Sequence, residues 1–305
     1  MTGETTPDIA IVGAGIIGIT AAAYLAEAGH SVTVIDRTGI CEETSSGNAG
    51  AFAFTDMLPL AHKGMMRQLP KWLADPLGPL AIPPAYLPQL LPWLWRFWRA
   101  GADANYETSL AAQAGLMKLA EAEWMGLMQR SATRGMLHED GSLELYESDA
   151  EFKASLPGWA VRDRFGVEYR HLAKSELADY QPGLGQNFVR GTFVPDWKTV
   201  SDPKDVGKAI WRYAEQKGAV FIRGDVGLAM ASKERVTIQL RQGRTITAGK
   251  LLIAAGAWSH LLAQQFGDRV PLETERGYNT TLPKSAFDVK RQLIFPGHAL
   301  SLIHI

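Results

Sequence analysis

The chain has 305 residues, with 31 lysines and arginines against 32 aspartates and glutamates, a formal charge of −1. That balance carries neither the basic footprint of a nucleic-acid binder nor an acidic tail. With 46% hydrophobic and 21% charged residues the chain can bury a sizeable core, which excludes disorder and collagen-like repeats, and its length predicts about two domains.

The single cysteine, Cys41, rules out an internal disulfide and a cysteine-based zinc cluster, and fits a reducing compartment. Residues Asp8 to Val12 (DIAIV) predict a strand, Gly13 to Gly18 (GAGIIG) a glycine turn, and the alanine-rich run to Ala28 a helix closed by Gly29. Ile9 to Ala28 is about long enough to cross a bilayer. Glu4 and Asp8 precede it, however, and the glycines interrupt it, so it reads as strand, turn and helix. Ser31 to Ile35 supplies a second strand ending at Asp36. This is a dinucleotide-binding unit: Gly13 permits the turn, Gly15 lets backbone approach a pyrophosphate, and Gly18 lets helix pack on strand. The amides near Ile16 and Ile17 would face phosphate oxygens, and Asp36 would accept from a ribose and repel a 2′-phosphate. The motif favours FAD or NAD over NADP without separating the two.

Between Phe52 and Pro195 the composition changes, as an insertion into the nucleotide fold would. A Pro/Trp-rich region runs from Pro70 to Trp98, and its segment 85–98 is too short to span a bilayer and is broken by Pro88, Pro92 and Arg96. Its Trp93, Trp95, Trp98 and Arg96 read either as an apolar lid packed over an active site, which is favoured, or as a patch meeting lipid or a partner. Asn105 to Thr133 predicts a long helix with Leu110, Leu116, Leu119, Trp124, Leu127 and Met128 as core. Ser142 to Tyr146 and Asn187 to Val194 predict strands of a separate mixed sheet. Asp202 to Gly218 reads as a capped helix and Ala219 to Arg223 as a strand. The histidines at 30, 62, 138, 171, 260, 298 and 304 have no metal-ligand spacing, and no metal is expected.

Thr44 to Gly50 (TSSGNAG), Asp196 to Pro203 (DWKTVSDP), Val226 and Lys250 to Ser259 (KLLIAAGAWS), in this order, resemble segments of FAD-dependent oxidoreductases of the D-amino-acid oxidase superfamily, most of all the bacterial D-amino-acid dehydrogenases. The resemblance implies an α/β fold: a Rossmann-like FAD-binding domain (1–56 and 198–262) with an interleaved α+β substrate domain (57–197 and 263–305). It implies noncovalent FAD held by Gly13, Gly15, Ile16, Ile17, Gly18, Asp36, Arg37, Ser45, Ser46, Asn48, Ala49, Gly50, Val226, Ala255, Gly256 and Trp258. Cys41 follows the second strand too closely to match the flavin-linking cysteine of related sarcosine oxidases.

The implied reaction is oxidative deamination of a D-amino acid or related amine, with hydride passing from the α carbon to flavin N5 and an imine hydrolysing to a keto acid. Thr274 to Leu282 resembles a substrate-domain strand from which Tyr278 would either contact substrate or pack its ring with the hydroxyl at the surface. No second glycine fingerprint marks a nicotinamide site, so oxygen, a quinone or a carrier protein would accept the electrons, at a cytoplasmic site or peripherally on the inner face of a membrane. The competing readings are a flavin- or partner-binding module without turnover and a NAD-dependent dehydrogenase. The family's C-terminal carboxylate-binding arginine and glycine-rich segment have no counterpart here, and Arg276 is not assigned that role. Leu300 to Ile305 (LSLIHI) resembles the translation of a sequencing adapter, so the expectation is a gene fragment that binds FAD weakly.

Overall fold

A computed structural model describes residues 6–62, 84–272, 274, 277–281, 283, 287–298 and 300–303. The chain folds into two units, one formed by 1–50, 128–136 and 200–283 and the other by 51–127, 137–199 and 284–305.

The first unit is built on β1 (Ile9–Val12), α1 (Ile16–Glu27) and β2 (Val32–Asp36). Every residue of β1 is buried, as expected of a parallel strand covered on both faces. After α6 (Pro203–Gln216) and β9 (Val220–Arg223) the chain returns through β13 (Lys250–Ile253), and the parallel sheet has the order β13-β1-β2-β9. Ile9 pairs with Val32 on one side and Lys250 on the other. Asp202 caps α6 by accepting from the Lys204 and Asp205 amides, and Pro203 opens the helix where its missing N–H is harmless. Ile19, Ala22, Ala23 and Ala26 of α1 and Val206, Ile210 and Ala214 of α6 are buried where the two helices pack together. Small side chains allow that close approach. An antiparallel meander of β10 (Val226–Ala231), β11 (Val236–Leu240) and β12 (Thr245–Ala248) joins Ala10 and Ile35 of the parallel sheet in one core with Ala229, Ile238, Leu240 and Ile246. Each fully buried Ile or Leu there contributes roughly 1.5–3 kcal/mol.

The second unit carries the expected mixed sheet, in the order β15-β14-β5-β7-β6. Its strands are β5 (Ser142–Tyr146), β6 (Arg170–Ala173), β7 (Arg190–Val194), β14 (Gln292–Phe295) and β15 (Leu300–Leu302). The β14–β5 pair is parallel and the others are antiparallel. A smaller sheet joins β3 (Ala51–Phe52), β4 (Leu137–His138) and β8 (Lys198–Val200). The helices are α2 (Leu87–Ala100), α3 (Asp103–Arg130), α4 (Asp149–Asp163) and the single turn α5 (Leu177–Tyr180).

Three expectations are corrected. In α3, Leu110, Leu127 and Met128 are buried, whereas Leu116 and Leu119 are 62% and 58% exposed. At about 100° per residue Leu119 falls on the face opposite Leu110, so the loose spacing had merged two faces. The helix α2 runs through Pro92, and its Trp93, Trp95 and Trp98 are each more than half exposed, against the favoured reading of a packed lid. Among the described residues of 274–282 there is no strand, because none of their backbone groups joins a ladder. The Pro/Trp-rich stretch as far as residue 83, Arg276 and His304 lie outside the described residues.

Candidate functional site

The C-terminal ends of β1, β2 and β13 converge on the glycine turn of the first unit. Gly13 has φ +111°, and a Cβ there would lie 2.2 Å from the Ala254 carbonyl oxygen, so only glycine fits between the two strands. A Cβ on Gly18 would lie 1.9 Å from the Gly13 oxygen, which makes Gly18 the helix-packing glycine the spacing predicts. The helix α1 begins at Gly15 with no side-chain cap of its own and no acidic residue in its first turn. Its positive end is therefore uncompensated from within. Ser45, from the TSSGNAG loop, brings its Oγ within 2.9 Å of the Ile16 amide and accepts from it. The hydroxyl keeps its own proton to donate, so an anion reaching this helix end meets an oriented O–H as well as backbone amides.

Asp36 is held by donors of its own turn. Its Oδ2 accepts from the Ala14 amide at 2.9 Å, while Oδ1 accepts from the Thr38 and Gly39 amides and the Thr38 hydroxyl. Partial burial alone would raise its pKa, but these donors outweigh burial and hold the carboxyl below its usual range. Asp36 thus ties the glycine turn to the end of β2, with its acceptor capacity directed mainly inward. Next to it, Arg37 forks onto Glu43 at 2.7 and 2.8 Å and lies 4.4 Å from the centroid of the Trp258 ring. Across β10 and β11, Arg241 pairs with Asp225 at 3.0 Å.

These groups surround a cavity of about 690 Å³. It is lined by Gly13, Gly15, Ile16, Ile17, Asp36, Arg37, Ser45, Val226, Ala255, Gly256 and Trp258 of the expected cofactor set. The other expected residues, Gly18, Ser46, Asn48, Ala49 and Gly50, lie outside its wall. Ser46 Oγ donates to the Glu43 carbonyl at 2.7 Å, and Asn48 bridges the Ser45 carbonyl and the Gly50 amide. Gly50, at φ +61°, would place a Cβ 2.5 Å from the Val200 oxygen. Thr38, Glu43, Asp225, Arg241 and Gln265 line the cavity without having been expected. Arg241 and Asp225 carry no motif, because they reach the wall only through the pairing of β10 with β11.

Tyr278 is 88% exposed and belongs to no strand, and the neighbouring Asn279 amide donates to the Gly47 carbonyl at 2.9 Å. The Cys41 thiol is buried and does not line the cavity, and desolvation pushes its pKa up to about 11, so it is not a poised nucleophile. The site fits the nucleotide portion of FAD: an unopposed helix N-terminus and a Ser hydroxyl suit the pyrophosphate, and the Cβ-free backbone at Gly15 and Gly256 suits close approach. At Gly256 a Cβ would meet no atom within 4 Å, so the space beside it is open.

Comparison with known proteins agrees with this geometry. The chain is 32% identical over 278 residues to a D-amino-acid oxidase of Bradyrhizobium diazoefficiens, covering 90% of this chain and 66% of that protein. It is 29% identical over 289 residues to a D-amino acid dehydrogenase of Neisseria meningitidis serogroup C, covering 92% and 68%. Among solved structures, glycine oxidase from Bacillus cereus superposes with a TM-score of 0.57 at 20% identity, over 86% of this chain and 58% of that one. A Proteus vulgaris L-amino acid deaminase lacking its specific insertion gives 0.62 at 17%, over 96% and 64%. The chain therefore spans roughly two thirds of the length of the curated relatives it matches, and the structural likenesses speak for the fold. Residues 8–304 match the family model described as DAO, FAD dependent oxidoreductase, and the chain belongs to that family.

Proposed function

We propose that this chain is the FAD-holding part, with a portion of the substrate-binding part, of a flavoenzyme that oxidises a D-amino acid or a closely related amine. The observation that carries the proposal is the cavity at the α1 N-terminus, where Ser45 caps the Ile16 amide and keeps a hydroxyl proton for a phosphate, in a chain 32% identical to a D-amino-acid oxidase. Bound there, FAD would supply a two-electron acceptor for hydride from the substrate α carbon, after which the substrate imine hydrolyses to a keto acid and ammonia. The chain's own work is to bind and orient. Gly13 and Gly18 set the turn, the α1 N-terminus and Ser45 receive the pyrophosphate, and Arg37 stacked on Trp258 forms a flat cationic wall. Tyr278, whose ring and hydroxyl are open to a ligand, is proposed as a substrate contact. Oxygen, a quinone or a carrier protein would reoxidise the flavin.

The test is spectroscopic. Purified protein incubated with FAD should retain flavin absorbance after desalting, and a panel of D-amino acids should bleach it anaerobically. Protein that stays colourless sinks the cofactor reading. Retained colour that no amine bleaches favours a binding module without turnover, a reading kept in view because the chain spans 66% of the oxidase it resembles.

A further inference from the structure

The meander of the first unit meets the cavity along its outer strand. In the order β10-β11-β12, β10 is an edge strand, and α7 (Ser259–Gln265) packs beside it. The Arg241 amide donates to the Asp225 carbonyl at 2.8 Å, so Asp225 turns its backbone toward β11. Opposite Val226, the Leu240 amide donates away from β10, to the Arg244 carbonyl at 2.9 Å. Backbone groups alternate along a strand, so Val226 presents its own N–H and C=O at the open edge, on the cavity wall.

Continued alternation would turn Gly227 back to β11. It does not, because the register shifts between Val226 and Leu228, and Gly227 is the extra residue of a bulge. Gln265 takes up the irregularity. Its Nε2 donates to the Gly227 carbonyl at 3.3 Å, and its Oε1 accepts from the Ala229 amide at 2.8 Å. One side-chain amide therefore bonds the edge of β10 as a neighbouring strand would, through donor and acceptor alike. Gln265 and Gly227 both line the cavity beside Val226. Covering an edge strand needs only charge or bulk. A planar amide that engages one carbonyl and one N–H also fixes where the bulge lies.

We propose that Gln265 is a positioning residue for the base of the cofactor: it locks the bulge at Gly227, so that the Val226 N–H and C=O are held as a donor–acceptor pair matched to adenine. Adenine offers an acceptor at N1 beside a donor at N6, which this pair complements. Hypoxanthine offers the reverse, a donor at N1 beside an acceptor at O6, and meets like with like. Without Gln265 the extra residue is free to slip along β10, and a slip by one residue turns Val226 toward β11 and away from the base. The inference rests on the reading of the cavity as a dinucleotide site and adds to it what selects the base.

The experiment is calorimetric titration of the purified chain with ADP and with inosine diphosphate, which share ribose and pyrophosphate and differ in the base. The wild type should bind ADP roughly tenfold more tightly. Gln265→Met keeps the length of the side chain and removes both hydrogen bonds, so ADP should weaken by roughly tenfold while the inosine compound changes little. Gln265→Glu retains the acceptor for the Ala229 amide and should fall between the two. Ser45→Ala, at the pyrophosphate end, should weaken both nucleotides alike and leave their ratio unchanged. Gln265 is exposed at the last position of its helix, so unchanged circular dichroism would show that its variants fold, with Gln265→Glu carrying the comparison if the Met variant does not. A wild type that binds the two nucleotides equally, or a variant that keeps their ratio or loses both affinities together, would overturn the proposal while FAD retention stands. Protein that retains neither FAD nor ADP would sink the cofactor reading and this inference with it.

Discussion

At the residue scale, two carboxylates show how environment divides one chemistry into opposite effects. Asp36 is surrounded by donors that hold its pKa below the usual 3.8, so the folded protein binds its proton less readily than the unfolded chain. Its contribution to stability is complete above the ordinary carboxylate range and is lost as pH falls through its depressed value. Replacing it with Asn should flatten the acid limb of the stability curve and lower stability near neutral pH, measured as urea midpoints across pH. Glu144 is the reverse case. Burial in β5 is the main cause and raises its pKa above 4.5, while the Tyr146 hydroxyl, donating at 2.9 Å, only partly offsets this. Its charged form burdens the fold as pH rises from the unfolded value through the folded one. Glu144→Gln keeps an acceptor for Tyr146 and removes the charge, so the thermal midpoint should rise at neutral pH and converge with wild type in acid. Ser45 is the third informative position. Ser45→Ala should destabilise the first unit by about 1 kcal/mol, the usual effect of losing an N-cap, and weaken FAD retention.

At the scale of elements, the packing of α1 on α6 depends on a glycine that no motif marks. A Cβ on Gly207 would lie 2.4 Å from Cys41 Sγ and 3.4 Å from Ile19 Cδ1. Gly207→Ala would ordinarily favour a helix by nearly 1 kcal/mol. Here overpacking should reverse the sign, with a loss of about 1–3 kcal/mol in chemical denaturation. Cys41→Ala, which removes the opposing thiol, should restore most of that loss in the double variant, a coupling a merely additive pair would lack. The elements that local pattern determines, such as β1, α1, β2 and α6, formed within a residue or two of their expected ends, because each carries its own turn glycine or cap. The misread ones, the burial of Leu116, Leu119 and the α2 tryptophans and the strand expected around Tyr278, all depend on what another segment lays against them. A helix shows its own faces in its spacing but not which of them is covered.

At the scale of the whole molecule, FAD that binds the folded first unit and not the unfolded chain should raise that unit's stability by about 2.7 kcal/mol at a concentration one hundred times its Kd. Hydrogen exchange should then slow around the glycine turn, the Asp36 to Ser45 connection and the Ala254 to Trp258 turn, which meet at one cavity. Protection spread evenly over both units would argue against a site confined to the first.

The dinucleotide turn and the parallel βαβ core were legible along the chain, because they rest on short-range constraints: a backbone angle that only glycine adopts, a cap, and buried strand residues in unbroken apolar runs; the family was legible only as a resemblance, carried by TSSGNAG, DWKTVSDP and KLLIAAGAWS. It took the folded chain to show which backbone donors hold Asp36, that Ser45 completes the α1 N-terminus, that Asp225 and Arg241 reach the cavity wall, and that the tryptophans of α2 face outward. Each of these is a relation between segments far apart in the chain, set by how strands register and which faces are covered, and spacing along one segment does not encode it.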